Sequence, residues 1–583
     1  MLPKSLRPLK PYLWKYRWAY LFSTFTVIAG NAIWVRFALV IKRAIYDLDH
    51  GSTERIWYYS LLLLAITLGK GTFTFLTRWK MIGISREIEF DLRNDLFTHL
   101  ESLSYSYYQR NRTGDIMARA TNDLAAVRNL LGPAIMYSAN TIAMMVASLW
   151  VMWHISARLT LFAFLPLPLA SILVQYFGRK IHERFERIQA MFSDISARAQ
   201  ENFSGARVVR AYAQEEAEIR SFETANLEYI ARSLRLVRLM GMLWPSLEAM
   251  LALGIVLVLW LGGREVLLHH IGADGFVAFN VLMVQLTWPV IALGWVINIF
   301  QRGTASMIRI NEILIEKPEI QDAADVKPQP ELKGEVEFRD LNFSFNGTRI
   351  LRNVNLRVPA GTSLAIVGPT GSGKTTLVNL VPRVYDAEPG MVLIDRKPIR
   401  EFPLQQLRQN IGFVPQETFL FSDTIGENIA FGAGEIDATA KKLAIEQAAE
   451  ASNIAEDVAG FPQGYETVVG ERGITLSGGQ KQRTAIARAI IRSPRILILD
   501  DALSSVDTQT EEKILNHLRN IMQGRTTIFI SHRVSTVRNA DKIAVLHEGS
   551  IVEYGTHDEL IDRNGYYTEL YNKQLLEEEL ETV

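Results

Sequence analysis

Three short motifs in the second half of the chain combine glycines with basic, hydroxyl or acidic residues at fixed spacing. The first is LAIVGPTGSGKTTLVNL, in which an apolar run is followed by glycines and then by Lys374 and Thr375. Glycines let backbone N–H groups wrap around phosphates, the lysine reaches the terminal phosphates, and the threonine hydroxyl can bind magnesium. We therefore predict an ATP-binding loop, and its residues are Gly368, Pro369, Thr370, Gly371, Ser372, Gly373, Lys374, Thr375 and Thr376.

The second motif, RILILDD, is an apolar run that ends in two adjacent acids, Asp500 and Asp501. A buried strand that ends in aspartate places the carboxylate where it can hold magnesium, directly or through water. We predict that Asp500 and Thr375 hold Mg2+ beside the bound ATP. The two motifs then form the two halves of one nucleotide site.

The third motif is ITLSGGQKQRTAIARAII, where four residues come immediately before a predicted helix: Ser477, Gly478, Gly479 and Gln480. The start of a helix exposes unpaired N–H groups and the positive end of the helix dipole, so it favours anions. The chain thus has two elements that can bind phosphate. If each ATP is held by the first element of one domain and the second element of another, two domains must close around it.

Composition divides the chain into a membrane half and a soluble half. The 583 residues are 48% hydrophobic and 21% charged, which is too apolar for a simple soluble enzyme and too charged for an all-membrane protein. Lys+Arg and Asp+Glu both total 62, so a net charge of zero gives no electrostatic case for nucleic acid as a partner. There is no cysteine, which excludes disulfides and thiolate metal sites. No short apolar segment with a cleavage-like site stands at the N-terminus, so we expect no removable signal peptide.

Six apolar stretches in the first 300 residues are long enough to cross a bilayer, since each crossing needs about 20 such residues. They cover residues 18–40, 56–79, 134–153, 159–177, 243–266 and 276–300. Basic segments beside the stretches favour a cytoplasmic N-terminus. An even number of crossings then returns the second half to the cytoplasm, where ATP is available.

Several polar residues lie inside these stretches: Arg36, Lys70, Glu248, Asn280, Gln285 and Asn298. An ionisable group at membrane depth is costly, so it usually faces the interior of the bundle, an aqueous cavity or a counter-charge. One interpretation is that such residues line a substrate path, with Lys70 or Arg36 attracting an anionic group and Glu248 a cationic one. The alternative is that they snorkel or form internal ion pairs.

The segment EKPEIQDAADVKPQPELKG has prolines and acids without an apolar period, which is typical of a linker. We predict an α-helical membrane domain at residues 1–315, a linker at 316–334 and an α/β nucleotide-binding domain with a P-loop NTPase fold at 335–583. The fold class is therefore a six-helix membrane bundle followed by an α/β cassette.

The LSGGQ element ahead of the ILILDD strand resembles the signature sequence of the ATP-binding cassette (ABC) family. Six spans followed by one cassette resemble a half-transporter of the ABC exporter type. The resemblance implies that Phe345 stacks on adenine and that Gln416 contacts magnesium and the attacking water. It also implies that Glu471 lies in a cross-communication loop, that Asp507 acts across the dimer interface and that His532 contacts the terminal phosphate.

Two segments of the membrane half resemble the cytoplasmic loops of exporters. In YQRNRTGDIMARATNDL, the resemblance implies a short coupling helix that rests on the cassettes. A second coupling helix is expected near residues 215–222 and should reach the cassette of the partner chain. The charges of this second segment are equally compatible with an ordinary solvated helix face.

Asp501 occupies the position where most active members of the family carry glutamate, which orients and activates the water that attacks the γ-phosphate. Aspartate is one methylene shorter, and a misplacement of about 1 Å can cost on the order of a hundredfold in rate. Together with an intact LSGGQ and His532, this resembles one subunit of heterodimeric bacterial exporters. We expect a heterodimer with a second half-transporter that carries the glutamate, and the alternative is a homodimer with two modest sites.

The resemblance implies an ATPase that exports a drug, lipid or peptide of hydrophobic or amphipathic character across a bacterial plasma membrane. Its catalytic residues would be Lys374, Gln416, Asp501 and His532. An ATP-gated membrane protein that does not pump is a further alternative. A soluble DNA-repair or translation ATPase of this family is disfavoured by the six stretches and the neutral charge. An importer is disfavoured because the membrane and cassette parts share one chain.

Overall fold

The computed structural model describes residues 4–51, 54–323, 326–345, 347–434, 437–470, 473, 475–502, 522–531 and 533–582. The chain folds as two compact units. The first comprises Met1–Leu100 and Gly114–Ile315, and the second comprises Glu101–Thr113 and Glu316–Val583. The short segment Glu101–Thr113 therefore folds with the second unit although it lies between two helices of the first. The predicted limits of the domains and the linker stay predictions.

Long helices make up nearly all of the first 315 residues. A 3-10 helix, Lys4–Leu9, is followed in chain order by α1 (Lys10–Lys15), α2 (Arg17–Asp49), α3 (Ile56–Ser102), α4 (Tyr105–Arg110), α5 (Thr113–Ile155), α6 (Ala157–Ala163), α7 (Leu167–Ser204), α8 (Ala206–Ala211), α9 (Glu215–Leu267) and α10 (Ala273–Leu314). Helix α5 contains two π-helical turns, Arg119–Asp123 and Leu130–Ala134.

Five helices of the described residues are long and apolar enough to cross a membrane, namely α2, α3, α5, α9 and α10. The remaining predicted stretch, residues 159–177, is divided between α6 and α7 by a turn. Pro166 explains the break, because proline lacks an N–H and restricts the residue before it. The predicted helical membrane bundle is confirmed, and its fourth stretch is built from two helices.

Apolar side chains from several helices form the core of the first unit. Val35 and Ala38 of α2, Met152 of α5 and Phe279 of α10 are buried together in one cluster. A partly buried ion pair also joins two helices, because Arg309 of α10 donates to the Asp123 carboxylate of α5 at 2.8 and 2.5 Å. The core is therefore continuous across α2, α5 and α10.

In the described part of the second unit, ten strands form two sheets. The strands are β1 (Val336–Phe345), β2 (Thr348–Val358), β3 (Ser363–Val367), β4 (Val392–Ile394), β5 (Lys397–Pro398), β6 (Ile411–Val414), β7 (Ile496–Asp500), β8 (Thr526–Ile530), β9 (Lys542–His547) and β10 (Ser550–Gly555). The smaller sheet is antiparallel with the order β2-β1-β4-β5. The larger sheet has the order β10-β9-β3-β8-β7-β6, and its neighbours are parallel except for the β9–β10 pair.

Helices pack against the larger sheet. They are α11 (Lys374–Asn379), α12 (Leu404–Gln409), α13 (Ile425–Ala430), α14 (Ala438–Ala451), α15 (Ala455–Ala459), α16 (Gly478–Ile490), α17 (Val534–Val537), α18 (His557–Asp562) and α19 (Tyr566–Thr582), with short 3-10 turns at Ile399–Glu401 and Gly464–Glu466. Strands β7 and β8 are buried at every position, as expected for parallel strands covered on both faces. Parallel strands end at a common edge, so the residues that follow β3, β6, β7 and β8 gather there.

Candidate functional site

The predicted ATP-binding loop joins the end of β3 to the start of α11. Gly368 has a φ of +149°, and a Cβ at this position would lie 2.0 Å from the Leu546 carbonyl oxygen. Gly373, which precedes α11, has a φ of +103°, a region that residues with a side chain rarely adopt. Glycine is therefore required at both positions for the backbone to turn from the strand into the helix.

Lys374 is buried inside this loop and is held by the loop's own backbone. Its ammonium donates to the carbonyl oxygens of Gly368 at 2.8 Å and Pro369 at 3.0 Å. Burial lowers the pKa of Lys374, while the nearby Asp500 and Asp501 carboxylates raise it. The lysine therefore brings a positive charge into the centre of the loop, where a phosphate would be attracted to it.

The Ser372 side chain also indicates that this loop can bind a phosphate. Its hydroxyl is buried and has no hydrogen-bond partner among the described residues. A buried polar group without a partner is costly, and a phosphate oxygen within reach would remove that cost. The loop therefore has the glycine backbone, the cation and the unpaired hydroxyl expected of a phosphate site.

Asp500 ends β7 and faces the start of α11. It is 1% exposed, and its carboxylate accepts a hydrogen bond from the Thr375 hydroxyl at 3.1 Å. Burial raises the pKa of Asp500 to about 6. The Asp501 charge adds to this rise, whereas the Thr375 hydrogen bond and the Lys374 charge oppose it.

This pair fits a magnesium ion, because Mg2+ takes oxygen ligands and is usually held in proteins by one or two side chains together with phosphates and water. No cluster of three or more His, Cys, Asp or Glu side chains that could hold a metal occurs in the described part of the chain. Thr375 and Asp500 would therefore supply protein ligands, and the remaining ones would come from the nucleotide and solvent.

Asp501 follows directly in a left-handed conformation with a φ of +51°. Its backbone N–H donates to the Ile530 carbonyl oxygen at 3.1 Å, which ties the residue to the end of the neighbouring strand β8. Aspartate and asparagine adopt this conformation more readily than other residues with side chains do. The second acid is thus positioned at the same sheet edge as Lys374 and Asp500.

Gln416 and Phe345, two further predicted site residues, lie at the ends of other strands. Gln416 is exposed and comes two residues after the end of β6, whose Val414 pairs with Leu499 of β7. It therefore leaves the sheet at the edge where Asp500 lies. Phe345 ends β1, and its ring centroid is 5.7 Å from that of Tyr385 in an edge-to-face arrangement.

Three predicted residues, Glu471, Asp507 and His532, lie outside the described residues. Strand β8, which precedes His532 in the sequence, ends at Ile530 and lies between β3 and β7. The predicted roles of these three residues stay predictions.

The LSGGQ segment forms the N-terminus of α16. The Ser477 hydroxyl accepts from the Gln480 N–H at 3.3 Å, and the Gln480 side chain accepts from the Ser477 N–H at 3.0 Å, which is a capping box. Gln480 also donates to Asp457 at 2.9 Å. Ser477 and Gly478 are exposed, and within the described part of the chain no recorded hydrogen bond joins them to the loop at residues 368–375. The capping box therefore fixes this helix start through residues 477–480 themselves and leaves Ser477 and Gly478 exposed.

The motifs did not single out Tyr385, which connects α4 to the nucleotide region. Its hydroxyl accepts from Gln109 of α4 at 3.0 Å, and its ring contacts those of Tyr105, Phe343 and Phe345 at centroid distances of 6.1, 6.0 and 5.7 Å. No spacing rule marks a lone tyrosine of this kind, because its partners lie in distant parts of the chain.

A second contact anchors α4 in the same unit. Arg110 donates to the Glu319 carboxylate at 2.7 Å, and the Ser106 hydroxyl donates to it as well. Hydrogen bonds from Ser106, Ser104 and Arg110 lower the pKa of Glu319. The segment predicted to contain the first coupling helix therefore includes residues that belong to the second unit. The predicted second coupling segment, residues 215–222, forms the start of α9.

Comparison with known proteins agrees with this architecture. A family model described as "ABC transporter transmembrane region" matches residues 20–290, and one described as "ABC transporter" matches residues 351–504. The solved structure described as a bacterial Atm1-family ABC exporter with ATP bound matches with a TM-score of 0.78 and 27% identity. That match covers 96% of this chain and 98% of the other.

Full-length relatives are also similar. The chain is 36% identical to the uncharacterized ABC transporter ATP-binding protein YknU of Bacillus subtilis, over 98% of this chain and 97% of that protein. It is 36% identical to an ATP-dependent lipid A-core flippase of Syntrophus aciditrophicus, over 95% and 92% of the two chains. It is also 36% identical to the multidrug resistance-like ATP-binding protein MdlA of Escherichia coli, over 91% and 90%.

A multi-pass helical membrane unit joined to a P-loop cassette defines an ATPase that is coupled to transport across a membrane, as the motifs predicted. The chain belongs to the ABC transporter family, and it has the architecture of an exporter half-transporter. Exporters of this kind act as dimers, so a second half-transporter completes the assembly.

Proposed function

We propose that this chain is one half of a dimeric exporter that uses ATP to export or flip a hydrophobic or amphipathic substrate across the plasma membrane. The observation that supports the proposal best is that Ser477, in the second predicted phosphate-binding element, is exposed at the start of a helix. Lys374 and Asp500 meet at one edge of the sheet, whereas Ser477 is exposed at the start of α16. A nucleotide bound by the loop of one cassette would be completed by Ser477 of a second, so ATP would hold the two cassettes together.

Each residue of the site would have a distinct role in binding or hydrolysing ATP. Phosphate binding would draw Lys374 from the Gly368 and Pro369 carbonyl oxygens toward the terminal phosphates, and the Ser372 hydroxyl would gain an acceptor. Thr375 and Asp500 would hold Mg2+, which neutralises charge on the phosphates. Asp501 would orient the attacking water. Gln416 and His532 are proposed to contact magnesium and the terminal phosphate, respectively, on the family resemblance alone.

We further infer that the partner is a different half-transporter that carries glutamate where this chain carries Asp501. The shorter aspartate positions water less well, and its left-handed backbone suits aspartate better than glutamate. The site built on this chain's own loop would then hydrolyse ATP slowly, while Ser477 serves the faster site of the partner. Closure of the cassettes would reach the membrane helices through contacts such as that of Gln109 with Tyr385.

Two relatives support the substrate class, because one is named a lipid A-core flippase and another is named multidrug resistance-like. An amphipathic cargo also suits the apolar helices of the membrane unit. The basic residues beside the predicted spans favour a cytoplasmic N-terminus and cassette. We propose a bacterial inner membrane as the location.

Purification of the tagged chain from its native host, without forced co-expression, tests the assembly. Mass spectrometry should recover a second half-transporter in a one-to-one ratio, and recovery of this chain alone would instead indicate a homodimer. Uptake of a labelled amphiphile into inverted vesicles against its gradient tests pumping. Uptake that only equilibrates the compound would contradict an exporter and favour an ATP-gated protein.

Replacement of the second acid tests the proposed weak site. Asp501→Glu should raise ATP turnover of the native assembly, because the longer carboxylate reaches the attacking water. The magnesium ligand provides the control, since Asp500→Asn should lower turnover in the same assay. Unchanged or lower ATP turnover of a stably folded Asp501→Glu assembly would show that the short aspartate side chain does not limit the rate of hydrolysis at this site.

A further inference from the structure

A lysine in the membrane half is held in place by a chain of polar side chains. The Lys70 ammonium of α3 donates to the Asn31 side-chain oxygen of α2 at 3.0 Å. The Asn31 amide in turn donates to the Val27 carbonyl oxygen and to the Asn140 side-chain oxygen of α5, both at 3.0 Å. Asn31 is buried. The position of the positive charge is therefore set by α2, α3 and α5 together.

This charge lies deep in a predicted span. Lys70 precedes Arg78 by eight residues, which is about 12 Å along the helix. No carboxylate forms a salt bridge with Lys70 among the described residues, and an ammonium can donate three hydrogen bonds, of which Asn31 accepts one. An uncompensated cation at this depth is costly and usually marks a substrate or ion path.

A cavity of about 160 Å3 adjoins the ammonium. This volume is roughly ten times the 10–15 Å3 that one water requires, so a phosphate or carboxylate group fits. Among the described residues, its polar lining has cations, hydroxyls and an amide but no carboxylate, from Lys70, Arg78, Thr26, Thr77, Tyr137 and Asn140. Apolar side chains, among them Phe73 and Trp288, line the rest. The chemistry of the cavity is that of a site for an anion.

A larger cavity of about 680 Å3 lies between α2 and α5, and Asn31 lines this larger cavity while also holding Lys70 beside the smaller one. Most of its walls are apolar, and Arg36 is its single charged side chain. Among the apolar residues are Ile28, Val35, Ile142, Val146 and Trp150. A smaller cavity with two cationic residues and a larger, mostly apolar cavity are therefore both lined by α2 and α5.

We propose that the two cavities form one binding site for an amphiphile with a phosphate or carboxylate headgroup. Lys70 and Arg78 bind the headgroup, and the apolar part of the molecule lies along α2 and α5. The proposal rests on the proposed export function, whose substrate class it narrows from amphiphiles in general to anionic amphiphiles. A purely structural Lys70 would stabilise the helices but would not select between headgroups of opposite charge.

Direct binding to the full-length native assembly, without ATP, tests the site separately from transport. The assembly is placed in phosphatidylcholine nanodiscs, and empty nanodiscs are subtracted. Dodecyl phosphate should bind saturably and at least tenfold more tightly than dodecyltrimethylammonium or inorganic phosphate. Equal binding of the two amphiphiles would overturn the headgroup site, and inorganic phosphate binding as tightly as dodecyl phosphate would overturn the role of the apolar cavity.

Three variants separate charge from folding. Lys70→Gln should weaken dodecyl phosphate binding at least tenfold, whereas Lys70→Arg should keep it within about threefold of the wild type. Lys80→Gln, on the exposed surface of the same helix, is the matched control and should change nothing. Unchanged binding in Lys70→Gln would refute the proposal. An assembly that pumps other amphiphiles but does not bind dodecyl phosphate would refute this site alone, and one that binds it without pumping anything would refute the export function alone.

Discussion

Replacing Asp500 with asparagine should raise the thermal stability of the protein while it abolishes ATP hydrolysis at the site built on this chain's own loop. Asp500 is 1% exposed, and burial raises its pKa from the ordinary value of 3.8 to about 6. A carboxyl group whose pKa is higher in the folded state stabilises the fold fully below pH 3.8, and this contribution is lost as the pH rises through about 6. At neutral pH the buried charge therefore opposes folding.

The size of the effect follows from the two pKa values. The interval between 3.8 and about 6 corresponds to about 3 kcal/mol at 1.36 kcal/mol per pKa unit. Asparagine carries no charge and can still accept the Thr375 hydrogen bond, so Asp500→Asn should recover much of this amount at pH 7.5. About 3 kcal/mol corresponds to roughly 6–12 °C in melting temperature for a domain of 150–250 residues.

The assay is differential scanning fluorimetry of the full-length protein at one scan rate, at pH 7.5 and pH 5, with and without magnesium and ATP. At pH 5 the wild-type carboxyl is largely protonated in the folded state, so the advantage of the variant should fall to roughly half. Magnesium and ATP should stabilise the wild type more than the variant, because only the wild type retains the carboxylate ligand. The exposed Asp562 supplies the control, since Asp562→Asn should not shift the melting temperature.

Two results would refute this reasoning. One is a melting temperature of Asp500→Asn at or below that of the wild type at pH 7.5. The other is a gain that is the same at pH 5, because a pH-independent gain cannot come from titration of a buried carboxyl group.

Substitutions of three further residues, Gly368, Ser477 and Tyr385, test other parts of the cassette. Gly368→Ala should abolish binding of a fluorescent ATP analogue, because its Cβ would lie 2.0 Å from the Leu546 carbonyl oxygen. The control is Gly390→Ala, which should bind the analogue normally because Gly390 also has a positive φ but no atom lies near its Cβ position. Normal binding by Gly368→Ala would contradict the loop geometry. Ser477→Ala should cost about 1 kcal/mol through the lost N-cap as well as ATPase activity. Ser477→Asp should keep the cap and the melting temperature but lose activity by repelling phosphate, and an active Ser477→Asp would argue against a phosphate contact. Tyr385→Phe removes the hydroxyl that accepts the hydrogen bond from the Gln109 side chain of α4. Substrate stimulation of the ATPase should therefore fall while basal turnover is unchanged. Full stimulation would show that Tyr385 does not contribute to coupling.

The motifs that bind phosphate could be predicted from the sequence because they are local. The loop at residues 368–376 requires glycine where a Cβ would clash or the backbone is left-handed. The spacing of the glycines in the sequence therefore indicates the loop. The N-cap of α16 likewise depends on two residues three apart, Ser477 and Gln480. The membrane bundle follows from the length of apolar runs, since a bilayer requires about 20 residues per crossing.

Tertiary structure decided the properties that arise between distant residues. The pKa of Asp500 is raised by burial at the end of β7, which lies between β6 and β8. The sequence ILILDD alone does not predict how deeply this carboxylate is buried. Tyr385 meets Gln109, which lies 276 positions earlier, and Lys70 meets Asn31 across 39 positions. Backbone conformation and span length are set by neighbouring residues in the chain, whereas burial and side-chain pairing depend on which segments pack together, and only the folded chain brings those segments into contact.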